Sequence, residues 1–215
     1  MKNMSQYING NLFKLITKAS RQLNYDTYVV GGYVRDLLLE RPSNDIDVVT
    51  VGSGIELARK TAALIDERKE VKYYGRFGTA MIRMKDKEIE FVGARKESYD
   101  PSSRKPFVEN GTLEDDQNRR DFTINAMAIS LNEDTFGTLV DPFNGVQDLE
   151  DKIIRTPLNP DVTYSDDPLR MMRAIRFATQ LDFTIEKESF EAIKRNAHRI
   201  RIISMERVSD ELNKI

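Results

Sequence analysis

The chain has 215 residues, 40% of them hydrophobic and 32% charged, a globular composition with room for one full domain and part of another. Its formal net charge is −2, so no global basic field draws it to a polyanion, and its basic residues fall in short clusters such as Arg119-Arg120 and Lys194-Arg195. Cysteine is absent, which excludes disulfides and thiolate metal sites and fits a reducing, cytoplasmic setting.

Leu12, Phe13, Ile16 and Leu23 recur at helical spacing and predict an amphipathic first helix over 8–24. Tyr28-Val29-Val30 reads as a short strand broken by Gly31-Gly32, and a helix is expected from Tyr33 to Leu39, ended by Arg41-Pro42-Ser43. A second strand follows at 46–51, then a helix over 55–65. Strands near 79–84 and 88–94 flank the hairpin signal Lys85-Asp86-Lys87, and Tyr73 and Tyr74 read as strand residues rather than stacking platforms. Residues 95–112 are polar and are expected to form a mobile loop; 120–129 is mixed, and 137–140 suggests an edge strand. Beyond Pro157-Leu158-Asn159-Pro160 the pattern is helical, with helices near 168–180, 186–197 and 204–215. None of the apolar runs could span a bilayer, and the N-terminus lacks the apolar stretch of a signal peptide, so no membrane association is expected. The fold class is therefore α/β (α+β): a head with a mixed, antiparallel-rich sheet over 1–140, a hinge over 141–160 and an all-helical neck over 161–215, whose pattern stops mid-helix at Ile215 as if truncated.

Asp45 and Asp47 lie two apart on a predicted strand, so both side chains leave one face. Two neighbouring carboxylates repel, and a divalent cation between them relieves the repulsion; Mg²⁺ takes carboxylate oxygens together with substrate phosphates. Glu90 alternates with apolar residues on a neighbouring strand and is a candidate third carboxylate. An Asp-x-Asp alone also describes a strand with a solvated acidic face. The Gly31-Gly32 turn adds to it, because a backbone without Cβ atoms approaches a ligand closely and the following helix start offers N–H groups to phosphate, with Arg35 nearby. The third glycine of a dinucleotide fingerprint and the Gly-Lys-Ser/Thr of a Walker loop are both missing.

Gly31-Gly32-Tyr33-Val34-Arg35-Asp36 followed by Asp45-Ile46-Asp47 resembles the first signature of the class II tRNA nucleotidyltransferase and bacterial poly(A) polymerase family. Four further segments resemble its later motifs in order: Arg119-Arg120-Asp121-Phe122-Thr123-Ile124-Asn125-Ala126; Asp141 to Gly145 with Asp148-Leu149 and Arg155; Asp166-Asp167-Pro168-Leu169-Arg170; and Glu206-Arg207 with Glu211-Leu212. The resemblance covers nearly the whole chain. It implies that Asp45 and Asp47 bind two Mg²⁺ ions and are catalytic, with Glu90 a possible third ligand. It implies that Gly32, Arg35, Arg119, Arg120, Asp121, Asn125, Arg173 and Arg176 hold the ribose and phosphates of the incoming NTP. Asp167 and Arg170 are implied to read the base edge, a carboxylate acceptor and guanidinium donors together imitating a partner base. The first position of that base-reading motif is Asp166 where the family has Glu, and no role is carried over to it.

On the 168–180 helix, with Asp167 as expected N-cap and Pro168 at its first position, Arg170, Arg173 and Arg176 spiral along one side. Met171, Met172, Ala174, Ile175 and Ala178 occupy the opposite arc and read as core; Phe177 falls among the arginines and breaks the division. His198, the single histidine, sits in a basic stretch and reads as a surface residue, and Arg95–Pro106 matches the position of the family's flexible loop or is an ordinary surface loop. The implied reaction is CCA addition to the 3′ end of tRNA from CTP and ATP. Poly(A) polymerase, CC-only and A-only enzymes share these motifs, and a non-catalytic nucleotide- or RNA-binding module is the alternative of another class. The body that would grip tRNA is expected beyond Ile215, so this chain is expected to bind NTP but to elongate tRNA poorly.

Overall fold

Every second residue of Asp45–Val51 is apolar or threonine and packs inward, which stands Ile46 and Val48 on one face of a strand and Asp45, Asp47 and Val49 on the other. That strand is central to the architecture seen in the computed structural model, which describes residues 3–75, 78–99 and 106–215. In chain order the head contains α1 (Asn11–Leu23), β1 (Asp26–Val30), α2 (Gly32–Leu38), β2 (Asp45–Val51), α3 (Gly54–Ile65), β3 (Lys72–Tyr74), β4 (Thr79–Arg83), β5 (Glu88–Gly93), β6 (Arg95–Ser98), β7 (Phe107–Asn110), α4 (Leu113–Asn118), β8 (Ala128–Ser130) and β9 (Leu139–Val140). Seven of the strands form one sheet in the order β3-β4-β5-β2-β1-β8-β9. All its pairings are antiparallel except β2 with β5, which sets Asp45 beside Glu88 and Asp47 beside Glu90.

The two sheet faces divide the labour. Val29, Ile46, Val48, Ile89 and Phe91 join Phe13 and Ile16 of α1 and Leu57, Ala58 and Ala62 of α3 in one buried core. The opposite face carries a small apolar patch of Val30, Val49, Ala94 and Ala128, and beyond it the carboxylates of β2 and β5. Helix α3 lies so close to the sheet that a Cβ on Gly54 would fall 2.8 Å from Phe91 O and Val92 Cα.

Beyond residue 140 come α5 (Gly145–Glu150), β10 (Ile153–Ile154), α6 (Pro160–Asp166), α7 (Leu169–Leu181), β11 (Thr184–Ile185), α8 (Lys187–Asn196), a 3-10 segment (Ala197–Ile202) and α9 (Met205–Leu212). Asp141 caps α5 by accepting the N–H groups of Gly145 (2.7 Å) and Val146 (2.9 Å), and buried Asp148 accepts Thr123 Oγ1 and pairs with Arg155. No described helix is long and apolar enough to cross a membrane.

Three expectations need correction. Residues 95–112 are not a loop throughout: β6 and β7 pair as an antiparallel hairpin with Arg95 opposite Asn110, while 100–105, the middle of the expected flexible loop, lie outside the described residues. The polar composition misled because Glu97 is buried by ion pairing rather than by apolar packing. The region after 160 is not all helical, since β11 pairs with β10 in parallel, Ile154 lying beside Ile185. Helix α7 begins one residue later than expected: Asp167 ends α6, and its Oδ1 accepts the Leu169 N–H at 3.2 Å.

Gly54→Ala is expected to lower stability by about 1–3 kcal/mol, because the colliding atoms are backbone and cannot swing aside. Thermal or urea unfolding of the variant measures this, and an unchanged midpoint would contradict the close packing of α3.

Candidate nucleotide and metal site

Gly31 ends β1 at φ 75°, a conformation glycine adopts without penalty, and the turn brings backbone between two functional side chains. A Cβ there would lie 2.9 Å from Arg120 Nη1 and 3.3 Å from Asp47 Oδ2. The chain enters α2 at Gly32, and one turn on Arg35 pairs with Asp36 through Nε (2.9 Å) and Nη2 (3.0 Å) while Nη1 donates to Asn125 Oδ1 at 2.9 Å.

A cavity of about 540 Å³ opens over the carboxylate face of the sheet. Its walls bring together Gly31, Gly32, Arg35, Asp45, Asp47 and Glu90 from the head, Arg120, Asp121 and Asn125 from the α4–β8 connection, and Arg173, Arg176 and Phe177 from α7. Three of the expected site residues do not line it. Arg119 turns the other way, to Asp116 and to Glu97, and its carbonyl accepts Arg170 Nη2 at 2.6 Å. Arg170 is thereby tied to the residue before cavity-lining Arg120, and Asp167 sits three residues before it at the head of α7.

Electrostatics sort these groups into two sets. Burial pushes the Asp47 carboxyl above its ordinary range, with the neighbouring charges of Asp45 and Asp116 adding to burial and Arg120 opposing it. Burial also raises Glu90, with help from Asp47. A pair of oxygen donors that resist sharing negative charge is the chemistry a hard divalent cation relieves. Among the described residues no cluster of three acidic or imidazole groups is arranged to hold a metal by itself. The chemistry of these residues fits Mg²⁺, which Asp45 and Asp47 would hold with Glu90 adjacent.

The second set is pinned by ion pairs. Asp116 is fully buried and bridges two arginines: Oδ2 takes Arg120 Nε at 3.0 Å and Nη2 at 2.8 Å, and Oδ1 takes Arg119 Nε and Nη2. Burial alone would raise Asp116, but Arg120 and Arg119 outweigh it and hold the carboxyl below the usual range. Burial would likewise raise Asp121, yet Arg173 Nε at 2.8 Å and Asn125 Nδ2 at 3.1 Å hold it low. Arg176 pairs with Glu211 of α9 at 3.0 Å, both side chains nearly excluded from solvent.

Helix α7 departs from the expected division into basic and apolar sides. Met171 and Ala174 are core, but Ile175 is exposed while Arg176 and Phe177 are buried. Arg176 is buried on its basic side because α9 covers it, Glu211 supplying the opposite charge. Sequence reasoning passed over Asp116, whose signal was present, since it stands three and four residues before Arg119 and Arg120 in the last turn and exit of one short helix. It also gave Phe177 no function. His198 is exposed as expected.

With this geometry established, comparison with known proteins is direct. Residues 27–155 match the poly A polymerase head domain, and residues 182–215 match the family described as a probable RNA and SrmB-binding site of polymerase A. The chain is 44% identical over 168 residues to the A-adding tRNA nucleotidyltransferase of Aquifex aeolicus, covering 78% of this chain and 20% of that protein. It is 38% identical over 204 residues to the CCA-adding enzyme of Streptococcus uberis, covering 93% of this chain and 48% of that protein. The apo form II structure of a CCA-adding enzyme superposes with a TM-score of 0.90 at 35% identity, over all of this chain and 52% of that one. This chain belongs to the poly A polymerase head-domain family of nucleotidyltransferases, and it spans about half or less of the length of these relatives.

Asp116→Asn is expected to destabilise the fold by about 3–5 kcal/mol, because it leaves Arg119 and Arg120 sharing a neutral partner in a buried place. The sign of the pH dependence follows from the lowered carboxyl. The stabilisation is complete above the unfolded value near ~4 and is lost as pH falls through the lower folded value. Urea unfolding between about pH 3 and 6 should show a steeper acid loss in the wild-type chain than in Asp116→Asn.

Proposed function

We propose that this chain is the catalytic portion of an enzyme that adds nucleotides from CTP and ATP to the 3′ end of tRNA without a nucleic-acid template, building CCA. One observation carries the reading: a pair of carboxylates suited to Mg²⁺ faces Arg35, Arg120, Arg173 and Arg176 across a single cavity of about 540 Å³. That is room for a nucleotide, with anionic donors for metal at one wall and cations for a triphosphate at the other.

Asp45 and Asp47 would hold Mg²⁺ in this reading, with Glu90 as a further carboxylate beside them, and the metal would supply Lewis-acid stabilisation of the attacking and leaving oxygens. Arg35, Arg120, Arg173 and Arg176 bind and orient the triphosphate, and Gly31 and Gly32 let it approach the backbone. Asp121 and Asn125 brace this wall, fixing Arg173 and Arg35 and leaving the ribose edge to the same segment. Asp167 and Arg170 read the base edge, and Arg119 anchors the reader through its carbonyl. Residues 1–140 serve as the head, 141–160 as the hinge and 161–215 as the helical neck, with tRNA as the macromolecular partner and the cytoplasm as the site of action.

A second reading, addition of A alone, is favoured by the 44% identity to the A-adding relative, the higher of the two identities to tRNA-extending enzymes reported above. The test incubates the chain with Mg²⁺, labelled CTP or ATP and tRNA ending just before its CCA, beside Asp45→Ala/Asp47→Ala. Incorporation of C and then A, slow but abolished in the double variant, is expected. A added only to tRNA ending in CC establishes the second reading, and long A tails establish a poly(A) polymerase. If equilibrium measurements show binding of neither nucleotide, the enzyme reading fails.

A further inference from the structure

Phe177 stands where three of the cavity's cations meet. The Arg35, Arg173 and Arg176 guanidinium carbons lie 5.0, 5.3 and 4.5 Å from its ring centroid, and Phe122 closes on the ring edge-on at 5.8 Å and 84°. Among the described residues the other rings with a cation nearby, Tyr73, Tyr74 and Phe190, each hold one. Phe177 is buried yet lines the cavity, so its ring is shared between the packed interior and the nucleotide space.

Each of the three arginines also has its own carboxylate: Asp36 for Arg35, Asp121 for Arg173 and Glu211 for Arg176. Those carboxylates hold the cations in place at a cost, because each cancels much of the positive charge that an incoming polyphosphate would feel. An aromatic ring has no net charge. Its quadrupole attracts guanidinium groups at the face without neutralising them. It therefore keeps three like charges gathered in one place while leaving their outward field intact.

We propose that Phe177 is a positioning residue for the triphosphate, acting through Arg35, Arg173 and Arg176 rather than by touching the reacting atoms. The proposal rests on the nucleotidyl-transfer reading and extends it to a residue outside the charged set. The contribution lies in the ring's electron distribution, not only in its volume.

The test measures binding of Mg-ATP, Mg-CTP and inorganic tripolyphosphate to the wild-type chain and to Phe177→Leu, Phe177→Tyr and chains in which Phe177 carries one to five ring fluorines. The chain has no tryptophan, so ribose-tagged fluorescent nucleotides report binding against a dark background. Phe177→Leu is expected to bind ATP and tripolyphosphate about tenfold more weakly, a few weak cation–ring contacts summed. Phe177→Tyr should restore binding. Affinity should fall step by step with fluorination, which drains the ring at nearly constant size. In the incorporation assay KM for nucleotide should rise by a larger factor than kcat falls. Wild-type affinity in the fully fluorinated chain, or in a Phe177→Leu chain that keeps its thermal midpoint, overturns the proposal while leaving the enzyme reading intact. Failure of the wild-type chain to bind any of the three ligands overturns that reading itself.

Discussion

Arg35, Arg120, Arg173 and Arg176 surround one cavity, and four guanidinium charges at such separations repel unless each has a partner. The partners are Asp36, Asp116, Asp121 and Glu211, and they come from four different elements. Asp36 is on the head's short helix, Asp116 on α4, Asp121 in the following turn and Glu211 on the last helix. Meeting this one requirement ties α7 to the head through Arg173–Asp121 and the far end of the chain to α7 through Arg176–Glu211. It also explains why polar groups such as Asp116, Asp121, Arg176 and Glu211 are buried at all.

The same pairing connects parts of the site that do not share a wall. Asp116 bridges Arg120, which faces the cavity, and Arg119, which faces Glu97 on the β6 arm of the hairpin. Glu97 in turn accepts Tyr99 Oη at 2.6 Å, and burial pushes that phenol well above its ordinary range. Arg119 closes the circuit by accepting Arg170 at its carbonyl. Cavity-lining Arg120 and the Arg119–Arg170 link thus hang from one buried carboxylate. A buried network of this kind is rigid when every member is satisfied.

The acidic wall works by the opposite logic. Asp45 and Asp47 share a strand face, Glu90 is added by the parallel neighbour, and burial raises Asp47 and Glu90 instead of holding them low. Negative charge is scarce of counterions on one wall and positive charge is secured on the other. In the proposed reaction a metal nucleotide would supply what the first wall lacks and answer what the second offers.

Much of this was legible in the chain. Period-two alternation at Asp45–Val51 and Glu88–Gly93 specified the strands and the common face of their carboxylates, because the side-chain direction of a strand is local geometry. The Gly31-Gly32 turn, the head helices and the ordered motifs were readable for the same reason, and the family they resemble is the one to which the chain belongs. Legibility stopped where partners are distant in sequence. That Arg176 is buried depends on Glu211, 35 positions later, and that the Glu97 side chain is buried depends on Arg119, so neither burial was readable from the residue's own polarity. The β10–β11 bridge and the β6–β7 hairpin were hidden likewise, being short pairings stabilised by what packs on them. Phe177 shows the boundary best: helical periodicity placed it among the arginines, but only tertiary structure brings Arg35 from a helix in the head to the same ring. Local patterns determine which way a side chain leaves its own element, and only the packing of elements decides which charge it meets there.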